Sequence, residues 1–76
     1  MIAVPTVAKS RRVVGSAIRE VRKAAGLSQE KLAEKADLHP NYIGEVERGE
    51  KTISVDALLR VAVALEISIT RFFPGL

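Results

Sequence analysis

Few side chains in this sequence of 76 residues have the chemistry of catalysis or metal binding. It has no cysteine, and its one histidine, His39, lies in a predicted turn. The sequence contains no glycine-rich phosphate loop and no His or carboxylate cluster with the spacing of metal ligands. Glu45 and Glu47 are two residues apart on a predicted helix, so their side chains point in different directions and do not form a catalytic pair. We therefore expect no enzyme, no metal site and no cofactor.

A polar helix face is the more informative pattern. Four residues recur at i, i+3, i+4 and i+7, which places them on one outward face of a predicted third helix. They are Asn41, Gly44, Glu45 and Arg48. This helix begins at Pro40, whose missing N–H would have no partner in the first turn. The chemistry of the face is hydrogen bonding to a polar partner.

Charge is unevenly distributed along the chain. Residues 1–31 hold seven basic and two acidic residues, a balance of +5, whereas residues 32–76 hold five basic and seven acidic residues, a balance of −2. The sequence pI is near 9.7. The asymmetry suggests a polyanionic partner such as nucleic acid, although scattered Lys and Arg also simply solvate a surface.

Apolar runs are short. The longest in the body of the chain, Val61 to Leu65, is five residues, whereas about 20 are needed to span a bilayer. Basic residues follow the apolar N-terminal residues, which is the reverse of the order in a secretion signal. We expect no membrane span, no export and a cytoplasmic location, and the lack of cysteine suits a reducing compartment.

Helical periodicity runs through the chain after an irregular N-terminal arm at residues 1–12. The first helix carries an apolar stripe at i, i+4, i+7 and i+11, formed by Val14, Ile18, Val21 and Ala25. Ser28, Ser54 and Ser68 are suitable N-caps for a second, a fourth and a short last helix. We predict an all-α domain of five helices over residues 13–76.

Two of these helices, joined by a short turn, form the unit that places a helix in a DNA groove. The stretch from Val14 to Phe73 resembles the helix-turn-helix regulators of the lambda-repressor and Cro type, also called the Xre family, and its most specific blocks are SQEKLA, PNYI and ERG. The resemblance implies a compact, five-helix, lambda-repressor-like DNA-binding domain with the motif at about residues 29–48. Two positions depart from the pattern: Asp37 stands where the family has a left-handed Gly, and His39 where it prefers a Ser or Thr cap.

The resemblance also assigns roles to side chains around the third helix. Base contacts fall on Pro40, Asn41, Gly44 and Glu45, and a phosphate contact on Gln29. Further phosphate contacts are expected at the rim, from Ser28 at the start of the second helix, whose amides favour an anion, and from Tyr42, Arg48, Lys51 and Thr52, which can donate hydrogen bonds on the other side of the groove. Solvation is the alternative role for each Lys and Arg. Asn41 has the chemistry to pair with adenine N6 and N7, and Glu45 can accept from cytosine N4. Gly44 either permits close approach to the groove or is a surface glycine without a role. Arg22 and Glu47 match a family ion pair that links the first helix to the third, so we assign them to structure.

One such motif contacts a half-site, so the resemblance implies a two-fold homodimer on a palindromic operator, with recognition helices about 34 Å apart. The candidate dimer interface is the apolar C-terminal surface, formed by Ile67, Ile69, Phe72, Phe73 and Leu76. One of the two Phe side chains is expected to complete the core instead. Double-stranded DNA is the expected partner, and no small-molecule ligand is expected because the chain has no separate sensing domain.

The leading hypothesis is a sequence-specific DNA-binding transcriptional regulator with residues 40–48 in the major groove. The compact chain and its LHPNYIGEVERG stretch look like the controller proteins of restriction–modification systems, although small phage repressors and antitoxins share these features. The alternative is an antitoxin or adaptor whose main contacts are with another protein and whose DNA binding is secondary.

Overall fold

The computed structural model describes residues 6–74, and the regular structure of this part is helical. Its four α-helices are α1 (Val7–Ala24), α2 (Gln29–Ala36), α3 (Pro40–Glu47) and α4 (Val55–Leu65). A 3₁₀ helix, Ile69–Phe72, follows α4. The described residues form no β-strand, and none of their helices is long and apolar enough to cross a membrane. The all-helical class is confirmed, whereas the five predicted helices are four α-helices and one short 3₁₀ helix.

Serine caps begin the helices where the sequence predicts them. Ser28 Oγ accepts from the backbone N–H of Lys31 at 3.0 Å. Ser54 Oγ makes the same 3.0 Å contact with the backbone N–H of Ala57. Each cap satisfies a backbone donor that has no partner inside the helix, and is worth about 1 kcal/mol. These local bonds set where α2 and α4 begin.

The first helix begins earlier than predicted. Thr6 Oγ1 accepts from the backbone N–H of Lys9 at 3.1 Å and caps α1, so residues 7–12 of the predicted irregular arm are helical. Their sequence, VAKSRR, is mostly polar and lacks the apolar stripe that indicates a helix from residue 13 onwards. The part of the predicted arm that precedes Thr6 lies outside the described residues.

The core lies between all five elements. Helix α2 packs against α3 and α4, and α1 packs against α3 and the 3₁₀ helix. The largest fully buried side chains are Phe72, Ile18, Leu32, Ile43, Val46 and Val61. Burying a side chain of this size stabilises the fold by about 1.5–3 kcal/mol. Each element contributes at least one of them, so the short α2 and α3 depend on their neighbours for stability.

Gly15 brings α1 into close contact with α3. A Cβ at this position would overlap the carbonyl oxygen of Val46 and would lie 3.0 Å from that of Glu47. Both oxygens belong to the backbone of α3, which cannot rotate away as a side chain can. Only glycine therefore permits this distance between the two helices. Apolar periodicity carries no signal of such a contact, so the role of Gly15 could not be predicted from the sequence.

Candidate nucleic-acid interface

The connection between α2 and α3 has the geometry of a helix-turn-helix. Asp37 adopts the left-handed conformation, with φ 56° and ψ 49°, which Asp tolerates better than most residues. The N–H of Leu38 donates to the carbonyl oxygen of Ala33 at 2.9 Å and closes α2. His39 Nδ1 accepts from the backbone N–H of Asn41 at 3.1 Å, so an imidazole caps α3 in place of the usual hydroxyl. The motif therefore keeps its form at the two positions that depart from the family pattern.

An open polar cleft lies on the outer face of α3. It is lined by Gln29, Pro40, Asn41, Gly44, Glu45 and Arg48. The cleft brings together the four residues expected to contact bases and two of those expected to contact phosphates. Asn41 is exposed at the first turn of α3, and Glu45 is half-buried one turn later. Both side chains are placed to contact a ligand in the cleft.

Gly44 is buried although it lies on the outer face of α3. A Cβ built on it would lie 3.0 Å from Nη1 of Arg48 and 3.4 Å from Oε1 of Gln29. The Arg48 guanidinium therefore covers the position that a side chain would occupy. That Gly44 permits close approach to the groove stays a prediction, and the end of the Arg48 side chain lies in front of Gly44 in this structure.

Arg48 and Lys51 are each paired with a carboxylate on the same face. Arg48 Nε donates to Glu50 Oε2 at 2.8 Å, and Nη2 donates to Oε1 at 3.3 Å. Lys51 Nζ lies 3.6 Å from Glu45 Oε1. The hydrogen bond from Arg48 lowers the pKa of Glu50 below its ordinary value. The two cations are balanced by two carboxylates, so this part of the face attracts phosphates less than two free cations would.

The loop after α3 is tied to both neighbouring helices. Tyr42 Oη accepts from the backbone N–H of Ser54 at 3.0 Å, which joins α3 to the start of α4. Thr52 Oγ1 accepts from Nε of Arg11 at 2.7 Å, which joins the loop to α1. This contact of Arg11 could not be predicted from the sequence, because the residues before Val14 show no helical pattern. Its bond to Thr52 places a cation beside the loop that follows α3.

Arg60 ties α4 to the turn of the motif. Its Nη1 donates to the carbonyl oxygen of Asp37 at 3.3 Å and lies 3.7 Å from the carboxylate of the same residue. Its Nε lies 3.0 Å from Asp56 Oδ2, one turn earlier on α4. Together with the bond from Ser54 to Tyr42, this contact joins α4 to the motif at two separate points.

A buried ion pair links α1 to α3 behind the cleft. Arg22 donates through Nε and Nη2 to the two carboxylate oxygens of Glu47, at 2.7 and 2.9 Å, and through Nη1 to the carbonyl oxygen of Leu27 at 2.7 Å. The hydrogen bond to Glu47 raises the pKa of Arg22 despite the opposing effect of burial. Gln29 Nε2 donates to Glu47 as well, at 3.1 Å. Gln29, expected on a phosphate, is therefore also part of this buried network.

The helix-turn-helix geometry agrees with one known family. Residues 18–72 match the helix-turn-helix family HTH_3. The chain belongs to this family. HTH_3 proteins are DNA-binding transcriptional regulators, and the chain is accordingly not an enzyme. Among residues 6–74, no three His, Asp or Glu side chains are grouped to hold a metal ion.

Several proteins similar to this chain are control or controller proteins. Control protein C.BamHI of Bacillus amyloliquefaciens is 38% identical over 58 residues, which are 75% of this chain and 72% of that protein. Control protein C.SmaI of Serratia marcescens is 38% identical over 61 residues, which are 80% of this chain and 73% of that one. The crystal structure of the controller protein C.AhdI from Aeromonas hydrophila superposes with a TM-score of 0.81 at 41% identity, covering 83% of this chain and 96% of that chain. The similarity therefore extends well beyond the motif.

The C-terminal apolar surface of this HTH_3 protein is smaller than predicted. Phe72 is 0% exposed and belongs to the core, so it is the Phe expected to complete the core and it does not line the proposed dimer surface. Ile67, Ile69 and Phe73 are half-buried and keep some exposed surface. Leu76 lies outside the described residues. The two adjacent Phe side chains divide between core and surface, since Phe72 lies at the end of the 3₁₀ helix and Phe73 just past it.

Proposed function

We propose that this HTH_3 protein is a dimeric transcriptional regulator of the restriction–modification controller type, which binds a palindromic operator in the cytoplasm with residues 40–48 in the major groove. The cleft on α3 carries the proposal, because Asn41, Glu45 and Arg48 present an amide, a carboxylate and a guanidinium on one helix face. These are three groups that pair with base edges in the major groove. The similarity to C.BamHI, C.SmaI and C.AhdI supports the controller type.

Phosphate contacts in this proposal come from both sides of the cleft. Ser28 is exposed at the start of α2, where backbone amides and the helix dipole favour an anion. Lys51 and Thr52 are exposed on the other side, with Arg11 beside Thr52. Gln29 and Tyr42 contribute the donors that their internal hydrogen bonds leave, which are the second amide N–H and the phenolic O–H.

The homodimer in this proposal forms through the C-terminal surface of Ile67, Ile69 and Phe73. These half-buried side chains follow α4 directly, so a two-fold axis there would hold two copies of α3 at a fixed separation. Recognition helices that enter successive major grooves need a separation of about 34 Å. A palindromic operator is the consequence of that symmetry.

An antitoxin or adaptor is the second candidate, and the outer face of α4 favours it. Val55, Leu59 and Val63 follow one another at i, i+4 and i+8 and are 72%, 49% and 76% exposed. An exposed apolar patch of this kind is typical of a protein-interaction surface. In this alternative the stripe would hold a protein partner, and DNA binding would be secondary.

Selection of binding sites from random duplex DNA tests the regulator. We expect enrichment of a palindrome, and Asn41→Ala should bind the enriched half-site with a loss of roughly 1–3 kcal/mol while its non-specific binding is nearly unchanged. Lys51→Ala is the matched control, since loss of a phosphate contact weakens all sequences alike and lowers the salt slope by about 0.9 per half-site. If the folded wild type enriches no sequence, the regulator is excluded and the adaptor is favoured.

Analytical ultracentrifugation of two lysine variants tests the interface. Ile67→Lys should lower the dimer fraction and the affinity for the full palindrome together, because it places a charge on the C-terminal surface. Leu59→Lys introduces the same charge on the outer face of α4 and should leave the dimer intact. If Leu59→Lys lowers the dimer fraction and Ile67→Lys does not, the interface lies on the outer face of α4.

A further inference from the structure

The side chain of Arg48 lies along the base-reading face of α3. A Cβ on Gly44, one turn earlier, would lie 3.0 Å from Nη1 of Arg48 and 3.8 Å from its Cζ. The guanidinium therefore covers Gly44 and lines the same cleft as Asn41 and Glu45. An arginine that serves a phosphate needs to reach the DNA backbone at the edge of the groove. The observed direction instead keeps the guanidinium over the middle of the helix face.

Glu50 occupies one edge of this guanidinium and leaves another edge open. Nε and Nη2 of Arg48 donate to its two carboxylate oxygens at 2.8 and 3.3 Å. A guanidinium carries five N–H donors in a planar fork. Glu50 takes the Nε–H and one N–H of Nη2, and the hydrogen bonds of residues 6–74 include none from Nη1. An N–H of Nη1 and the second N–H of Nη2 thus remain side by side as a free two-donor edge.

We propose that Arg48 reads a guanine through this free edge and that Glu50 is the residue that positions it. Guanine presents O6 and N7 as two acceptors on its major-groove edge, and a two-donor guanidinium edge pairs with both. The inference rests on the proposed function, because it needs α3 in the major groove. It gives Arg48 a role in sequence recognition in place of the phosphate contact expected from the sequence.

The charge of the pair favours a base over a phosphate. Glu50 offsets the positive charge of Arg48, and Glu45 lies in the same cleft. A neutral pair gains little from the negative charge of a phosphate, but it keeps its donors for the neutral edge of a base. Glu50 also holds the guanidinium in one orientation before DNA arrives, which lowers the cost of ordering it on binding. Recognition of the base in this proposal therefore depends on three residues together, which are Gly44, Arg48 and Glu50.

The variant Arg48→Lys distinguishes a base contact from a phosphate contact, since it keeps the positive charge and removes the two-donor edge. The site enriched by the wild type is synthesised with each guanine replaced in turn by 7-deazaguanine, which lacks the N7 acceptor. We expect one position in each half-site at which this replacement weakens wild-type binding. Arg48→Lys should bind the unmodified site about tenfold or more weakly and should be insensitive to 7-deazaguanine at that position. Arg19→Lys, at an exposed arginine of α1, should behave as the wild type in both measurements.

Glu50→Gln tests the positioning role separately. Removal of the carboxylate adds one positive charge, so affinity for scrambled DNA should rise, while the ratio of specific to non-specific affinity should fall because the guanidinium is no longer held. An equal rise for both DNAs overturns the role of Glu50. Wild-type affinity of Arg48→Lys for the enriched site overturns the role of Arg48 and leaves the proposed function standing. If the folded wild type enriches no sequence, the proposed function fails and this inference fails with it.

Discussion

Glu47 and Arg48 are adjacent at the end of α3, yet each belongs to a different arginine–glutamate pair. Arg22 and Glu47 are 25 residues apart in sequence, and their side chains are 8% and 2% exposed. Arg48 and Glu50 are two residues apart, and their side chains are 58% and 54% exposed. The shortest bonds of the two pairs are nearly equal, at 2.7 and 2.8 Å. Burial, and not bond geometry, distinguishes them.

The difference in burial decides what each pair can do. Breaking a buried pair leaves an uncompensated charge in the protein, so the Arg22–Glu47 pair must stay closed for the fold to persist. An exposed pair loses little when it opens, because water replaces each partner. The same two side-chain types thus serve structure on one side of α3 and remain available to a ligand on the other.

Removing one glutamate from each pair gives the largest expected contrast. Glu47→Ala leaves Arg22 buried without its partner and should lower the free energy of unfolding by about 3–5 kcal/mol. Glu50→Ala should change it far less, because both partners of that pair are exposed. Urea denaturation of the two variants measures the difference. Equal losses would show that burial does not separate the pairs.

Gly15 extends the comparison to backbone packing between α1 and α3. Gly15→Ala places a methyl group against backbone oxygens of α3, and overpacking of this kind costs about 1–3 kcal/mol. Ser16→Ala, at the exposed neighbouring position of the same helix, is the control and should not destabilise. Thermal unfolding checks both variants. A stable Gly15→Ala would mean that α1 can move away from α3.

Gly44→Ala should separate stability from recognition. Its Cβ would meet the end of the Arg48 side chain at 3.0 Å, which can move, whereas the helix gains about 0.5–1 kcal/mol from replacing an interior glycine. We expect unchanged or slightly higher stability together with a lower ratio of specific to non-specific DNA affinity. An unchanged ratio would show that the position of the guanidinium does not matter for recognition.

The smallest expected effect is the pH dependence of the exposed pair. The Arg48 hydrogen bond lowers the pKa of Glu50 from its ordinary 4.5, so the pair's contribution to stability is present above that value and is lost as the pH falls through the lowered pKa. The carboxyl carbon of Glu50 should titrate below 4.5 by NMR, and Arg48→Ala should move its pKa back towards the ordinary value. Identical titrations in the two proteins would mean that the pair does not persist in solution.

Much of the helical framework could be predicted from the sequence because its signals are local. Ser28 and Ser54 cap helices within three residues of themselves, and Pro40 begins α3 as predicted. The start of α1 could not be predicted from periodicity, since residues 7–12 are mostly polar and their helix is specified by the Thr6 cap. Local signals therefore located most helix boundaries and missed the one without an apolar stripe.

The candidate site was predictable as a set of residues but not as a set of contacts. The stripe of Asn41, Glu45 and Arg48 follows from helical spacing and does line one cleft. The position of Arg48 over Gly44, and of Arg11 beside Thr52, depends on side-chain conformations that spacing does not encode. Which of Phe72 and Phe73 is buried likewise depends on how the 3₁₀ helix packs against the core.

The two ties between α4 and the motif have a consequence for operator spacing. The bond from Ser54 to Tyr42 joins α4 to the first turn of α3, and the bond from Arg60 to Asp37 joins α4 to the turn that precedes α3. In a dimer held together just beyond α4, the two copies of α3 would therefore be held at a fixed separation and orientation. One extra base pair between half-sites turns the second site by about 35° around the DNA axis, since a helical turn holds 10–10.5 base pairs. A rigid dimer should bind operators with one centre-to-centre spacing between half-sites and bind operators with one base pair more or fewer much more weakly, so the spacer length is part of the sequence specificity.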